Sequence, residues 1–490
     1  MVCGMVGLKT SILKSAVGAV ALPAALALCG CGTFSDYPSG MNRVVLAPMD
    51  QGGDLHPAQA DLASRMQGRD EVLFAQEAGR TAQLYGDYGA SRAAFDKAIA
   101  RTAAQGDEGV FAAKVAAQQA AAVLVNDKAI EYRAPEYEQA LVHHYQALNY
   151  LAARDLDGAG VEIRRANRVQ EEARKRHEAE TDKAAAKKSD PLADAPGSTQ
   201  AAVAKAYAGL DELAGAAKTS FQNAATFQLS AVVWEMRGER NDAYIDVKRA
   251  LELAPEHPGL QASALRLGKR LGMREDVDEL SRRFPSAAKT PPDGDPAYDG
   301  KAHLVVMLEE GHVAQKQSLG IPFPVSGGLG AIDIPIYTSS HAPASGGRIS
   351  LDVAGRPAGT LATLCRVSSL AARALSERMP AILTRQIARA VAKGVAVHAA
   401  GKNGGDAAVI LVSLWNIASE QADLRSWLTL PDAILSAEAW VEPGDAVPVR
   451  LRWPGGGNLE LPVTLTAGKT TLLYVTRADW SFYSHAFVQP

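Results

Sequence analysis

Three stretches of this 490-residue chain carry one pattern: an apolar helix, a tight turn, and a second helix with Ala and a larger apolar residue on one face. In the first, Gly86-Asp87-Tyr88 makes the turn, Gly79 stands seven residues before it, and Phe95, Ala98 and Ile99 follow. In the second, Tyr145 to Leu151 forms the leading helix, Asp155-Leu156 lies at the turn, and Ala159, Ile163 and Ala166 line the next helix. In the third, Gly238-Glu239 turns the chain, Ala243, Val247, Ala250 and Leu251 line the second helix, and Pro255 stops it. The equivalent turn positions Gly86 and Arg154 stand two repeat periods of about 34 apart. Arg154 and Gly238 stand farther apart than two periods, by roughly half a period. An insertion is therefore expected between them, and the Lys-, Glu- and Ala-rich stretch from Lys175 to Ser198 is its place. One such unit cannot bury its own apolar face, so the units must stack. Residues 70–285 are thereby constrained to a helical domain, closed by a last pair over Ala262–Arg283.

These units resemble tetratricopeptide repeats. In such a repeat Gly79 and Ala98 are the small residues that let two helices approach, Phe95 fills the groove, and Ala250-Leu251-Glu252-Leu253-Ala254-Pro255 matches the ending of a unit. The resemblance implies a concave surface that receives another chain. Tyr85, Tyr145, Tyr150 and Trp234 are its candidate partner-binding residues; the competing reading packs these rings between helices.

The pattern changes after residues 286–300, which hold Pro, Gly and Asp and read as a protease-sensitive linker. Leu304 to Leu308 is a buried-strand run, and Arg348 to Val353 alternates before a turn at Gly355-Arg356-Pro357. Val447, Val449, Leu451 and Trp453 share one side, and Leu459, Leu461, Val463 and Leu465 continue it. This alternation predicts antiparallel hairpins with one buried face. Residues 301–490 are therefore expected to form a β-rich, sandwich-like domain. A helix pair interrupts it, Arg366–Arg378 and then Pro380–Lys393, with Arg385, Arg389 and Lys393 as an exposed basic stripe. The fold class expected is α+β and multidomain.

Residues 1–30 read as an address. Lys9 and Lys14 precede an uncharged run from Ser15 to Leu28. That run is too short to span a bilayer and has the right length for a signal-peptide core. Leu28-Cys29-Gly30-Cys31 resembles the bacterial lipobox, which implies cleavage before Cys31 and its acylation. Two acyl chains anchor a protein stably where one does not. Gly32 in place of Asp favours the outer membrane, with the chain on the periplasmic face. Residues 31–69, rich in Gly, Pro, Asp and Ser, read as an extended tether with one short strand over Asn42–Leu46. The formal charge of −3 becomes −5 once Lys9 and Lys14 are removed, which argues against nucleic acid as a partner. Of four cysteines only Cys31 and Cys365 would remain, so neither a disulfide framework nor a Cys-based zinc site is expected, and Cys365 reads as a small buried hydrophobe.

No catalytic constellation assembles from the residues. Gly327-Gly328-Leu329-Gly330 lacks the spacing of a dinucleotide site, and the adjacent His143 and His144 point to different helix faces. Glu309-Glu310-Gly311-His312 carries two carboxylates and an imidazole but reads as a strand-end turn. No cofactor, no metal and no enzymatic activity are expected. Tyr137-Glu138 through Tyr150-Leu151, Asp242-Ala243-Tyr244-Ile245 through Pro255, Leu383-Thr384-Arg385-Gln386-Ile387-Ala388-Arg389 and Asp423-Leu424-Arg425-Ser426-Trp427-Leu428-Thr429-Leu430-Pro431 together resemble an uncharacterised family of bacterial lipoproteins with tetratricopeptide-like repeats. That resemblance implies the architecture above and brings no activity. The function expected is a membrane-anchored periplasmic scaffold that binds a protein partner of the cell envelope. The alternative is a structural or ligand-binding lipoprotein whose β-domain holds peptidoglycan or polysaccharide.

Overall fold

A computed structural model describes residues 37–106, 130–184, 192, 195–215, 217–325, 328–337, 348–419 and 421–490. After a short first helix, α1 (His56–Arg65), four helical hairpins follow: α2 (Glu71–Leu84) with α3 (Tyr88–Gly106), α4 (Glu136–Ala152) with α5 (Leu156–Ala184), α7 (Ala224–Met236) with α8 (Arg240–Leu253), and α9 (Pro258–Leu271) with α10 (Arg274–Arg283). One device ends the leading helix of each. Gly86, Arg154, Gly238 and Gly272 all have left-handed φ, at 78°, 56°, 79° and 71°. In each turn the next amide reaches back five residues, as Asp87 N to Ala82 O at 3.0 Å, Asp155 N to Tyr150 O at 2.9 Å, Glu239 N to Trp234 O at 2.9 Å and Met273 N to Gly268 O at 3.0 Å. These are Schellman caps, which satisfy the last carbonyls of a helix. Gly79 faces Phe95 so closely that a Cβ there would lie 2.6 Å from the ring. The inserted length lengthens α5 and adds α6 (Gly197–Ala214), between the second and third hairpins.

The ten strands among the described residues are β1 (Ala302–Glu310), β2 (Lys316–Val325), β3 (Gly328–Tyr337), β4 (Ile349–Val353), β5 (Arg356–Arg366), β6 (Ala433–Val441), β7 (Gly444–Arg452), β8 (Asn458–Leu465), β9 (Thr470–Ala478) and β10 (Ser481–Val488). Eight form one sheet in the order β10-β9-β1-β6-β5-β4-β7-β8, while β2 and β3 pair only with each other. In place of a two-layer sandwich, the sheet curls into a near-barrel. Leu304, Val306, Leu308, Leu351, Leu435, Val449, Leu451 and Val475 close its inner face into one apolar cluster. Its outer face, with Val305, Met307, Ile434, Leu472 and Tyr474, joins the core of the helices. Helices supply the second layer that a sandwich would take from another sheet. β1 is accordingly buried along its whole length, as its unbroken apolar run predicts.

Four expectations about local structure fail. Residues 37–50 are not an extended tether: α-turns at Tyr37–Met41 and Ala47–Asp50 flank a π-turn at Asn42–Leu46, in place of the expected strand. Met41, Val45 and Met49 recur every four residues, a helical spacing, and all three are buried. The helix pair around Pro380 is one helix, α11 (Val367–Ser419). Leu375, Met379 and Leu383 continue a single buried stripe through the proline, and that packing outweighs the lost amide. Arg389 on this helix is fully buried and Arg385 and Lys393 are partly buried, so these three do not form an exposed basic stripe. Nor do residues 286–300 hang free: Asp293 accepts from Arg240 Nε at 2.6 Å and Arg266 Nη1 at 3.1 Å, and the Tyr298 ring lies 4.3 Å from that of Trp440.

The turns yield a direct test. Gly238 has open space where a Cβ would go, so Gly238→Ala isolates the backbone cost and should destabilise by about 1 kcal/mol. Arg154→Gly should raise stability by roughly 0.5 kcal/mol, since relief of the left-handed strain slightly exceeds the entropy glycine adds to the unfolded chain. Denaturant midpoints of the two variants should move in opposite directions.

Candidate functional site

The paired carboxylates at the end of β1 point to opposite faces of the sheet, as strand alternation requires. Glu309 faces the helices and is fully buried. Its Oε1 accepts from the hydroxyls of Tyr145 at 2.6 Å and Tyr474 at 2.9 Å, and its Oε2 from Thr476 Oγ1 at 2.6 Å and from the Arg80 guanidinium. Arg80 lies over the Tyr145 ring, 4.3 Å from its centre, and donates to Gln83 Oε1 at 2.8 Å. The Tyr474 hydroxyl spends its proton on Glu309, so it accepts from His144 Nε2 at 3.0 Å. Burial drives the His144 pKa down to about 3 and holds the ring neutral, with Arg80 adding to the shift. Glu310 faces into the near-barrel and takes Trp453 Nε1 at 2.8 Å. His312 Nε2 meets Asp50 Oδ1 at 2.5 Å. Every oxygen of Glu309 is spoken for, and no approach to it is open. The cluster fastens α2 and α4 to β1 and β9.

Two more glutamates on the leading helices hold a buried loop. Glu77 on α2 accepts from the Leu428 amide at 2.6 Å, the Thr429 amide at 3.1 Å, Thr429 Oγ1 at 2.6 Å and the Tyr37 hydroxyl at 2.6 Å. Burial pushes its carboxyl up to about 7 against those four donors. Glu138 on α4 takes the Tyr132 hydroxyl at 2.6 Å, the Tyr137 hydroxyl at 3.2 Å and the Trp427 amide at 3.3 Å. The segment from Asp423 to Pro431 is thereby threaded through the core without regular secondary structure.

Beside that loop lies the candidate site, a cavity of about 400 Å³, within the range of small-molecule pockets. The irregular approach to α4 (Ile130 to Glu138), the base of the β2–β3 hairpin (Lys316, Pro335, Tyr337), the first half of α11 (Ala371 to Arg385) and the loop residues Asp423 and Arg425 enclose it. Its acidic groups are committed: Glu131 to Arg101 and to Gln105 Nε2 at 3.1 Å, Glu138 as above, and Asp423 to Arg425, whose Nε and Nη2 each reach a carboxylate oxygen at 2.8 Å. Arg425 also bonds Asp70 and the Ile130 carbonyl. Two cations keep capacity. Lys316 donates to the Arg425 carbonyl at 2.7 Å and forms no ion pair among the described residues. Arg378 is half exposed, and its only ion pair among them is Glu136 at 4.0 Å. Burial lowers the Lys316 pKa, opposed by Asp423 and Glu138 and reinforced by Arg378 and Arg425.

The residues singled out from sequence are not brought together. Cys31 lies outside the described residues. Tyr145 and Trp234 are buried, the first on Glu309 and the second with Nε1 on Asp246 at 3.0 Å, so neither offers a surface to a partner. Tyr150 packs against Gly158 beneath Arg92, and Tyr85, partly exposed, donates to Gly53 O at 2.6 Å. The leading helices α2, α4 and α7 are bonded instead to the chain's own sheet, through Arg80, Tyr145 and Gln228. Lys316, Arg378, Arg425 and Glu138 escape a reading of the sequence as a group because they come from four separate stretches. His143 and His144 do diverge, to Glu162 and Tyr474. Cys365 is buried without a disulfide, and its thiol is pushed by burial up to about 12. No group of His, Cys, Asp and Glu among the described residues is placed to hold a metal ion. No family model matches the chain, and no match was found among curated proteins or solved structures.

Removing one partner of the central pair should be severe. Glu309→Leu leaves Arg80 buried without its anion and should cost about 3–5 kcal/mol, as should Arg80→Met. The double variant should lose clearly less than the sum of the two, because it strands no charge. Equilibrium denaturation of all four proteins measures that coupling.

Proposed function

We propose that the chain is a lipid-anchored lipoprotein of the bacterial envelope that acts by binding a ligand and performs no chemistry. The observation that carries the binding role is the cavity at α4, α11 and the β2–β3 hairpin, with cations to spare and acids already bonded. The anchor rests on Lys9, Lys14, the uncharged run and Cys31. No helix among the described residues is long and apolar enough to cross a membrane. The proposed attachment is through acyl chains on Cys31, on the periplasmic face of the outer membrane. The hairpins and their shared caps support a tetratricopeptide-like ancestry for the helical half, put here to packing the chain's own sheet. A second reading keeps a protein scaffold. Val391 and Val395, 50% and 58% exposed on α11, favour it, and they move the docking face from the concave side to that helix.

Both halves of the proposal are open to test. Cys31→Ala should abolish labelling by a palmitate analogue, and equal labelling would remove the anchor. Ala381 is exposed at the pocket wall, so Ala381→Trp should obstruct the cavity without crowding the core. Native mass spectrometry of protein drawn gently from the envelope should show a small-molecule adduct that the Ala381→Trp protein lacks. An adduct retained in full by that variant would place ligand binding elsewhere.

A further inference from the structure

We propose that the cavity takes a carboxylate carried on an apolar body, with the charged end between Lys316 and Arg378 and the body along the wall of α11. This rests on reading the cavity as the binding site and adds what it binds. The sign of the ligand follows from hydrogen-bond capacity. A cationic ligand would need a free carboxylate, but Glu131 is paired with Arg101, both Glu138 oxygens already accept from the protein, and Asp423 is held by Arg425. Lys316 has three donors and one acceptor, the Arg425 carbonyl. Arg378 has five donors and a single distant carboxylate. The two cations also repel one another, since Arg378 is among the charges that lower the Lys316 pKa. One anion placed between them removes that repulsion and supplies the missing acceptors, with charge-assisted bonds stronger than neutral ones.

The shape of the ligand follows from the wall. Ala371, Ala374, Leu375 and Ile382 line the cavity from one face of α11, at the three- and four-residue steps that keep side chains on one side of a helix. Arg378 sits in the middle of that row. A bare anion would leave this apolar surface wet, whereas methylenes laid along it remove apolar area from water on both sides.

The test is titration calorimetry on the full-length, delipidated protein with three probes: decanoate, decanol with the apolar body alone, and acetate with the charge alone. Decanoate should bind saturably, and both others at least about tenfold more weakly. Lys316→Met and Arg378→Met should each weaken decanoate by about tenfold or more and leave decanol unchanged, a selectivity that a merely structural role would not produce. If Lys316→Met does not fold, Arg378→Met, at a half-exposed position, carries the test alone. Decanol binding as tightly as decanoate, with Ala381→Trp abolishing both, would overturn the anion while leaving the pocket standing. Acetate binding as tightly as decanoate would overturn the apolar body. Decanoate binding that neither Lys316→Met, Arg378→Met nor Ala381→Trp weakens would overturn the site itself, and no binding by decanoate would overturn the ligand class.

Discussion

A carboxylate buried between a helix and a sheet tolerates very little error in where either lies. Glu309 draws its four donors from α2, α4 and β9, and none of them can be supplied by water once the interface closes. Leaving any one unmade would strand a polar group at a cost of roughly 1–3 kcal/mol. The helices and the sheet are thus set relative to each other by directional bonds as well as by apolar contact. This explains why the leading helices α2 and α7 are buried nearly all round, while α3 buries only a stripe. One side of the leading helix meets the next hairpin and the other meets the sheet.

The same geometry covers the leading helices with the chain's own parts. β1, β6, β9 and the loop before β6 lie against them, reached through Glu77, Arg80, Glu138 and Gln228. The loop is the unusual part, because irregular backbone in a core must find partners for its amides. Side-chain carboxylates supply them in place of a neighbouring strand. Polar residues on the buried face of a helix, which weaken a reading by hydrophobic period alone, turn out to be the ones that seat this loop.

What the sequence makes legible is local. The turn positions Gly86, Arg154 and Gly238 follow from spacing, and each adopts the same left-handed cap, although one is an arginine. The alternation of Val447 to Trp453 marks β7 and its buried face correctly. What escapes is set by distant partners or by competing signals. Glu309 and Tyr145 are 164 positions apart, so a carboxylate next to Glu310, Gly311 and His312 reads as part of a turn. Prolines near Tyr37 and at 380 read as breaks, but burial of Met41, Val45, Met49 and of Met379, Leu383 decides otherwise. The pocket cations are invisible for the same reason as Glu309: only the folded topology brings β2, α11 and the loop before β6 to one place.

The Tyr37 hydroxyl bonded to Glu77 fixes how freely the folded body can travel. On the proposed anchoring, six backbone steps separate the acylated Cys31 from Tyr37, which fully stretched reach roughly 20 Å. That is a mooring rather than a leash. So anchored, the body would not sweep the periplasm for distant components, and whatever it binds would have to come to the bilayer surface. Its orientation would be constrained too, with the Tyr37 corner nearest the lipid and the rest pivoting about it.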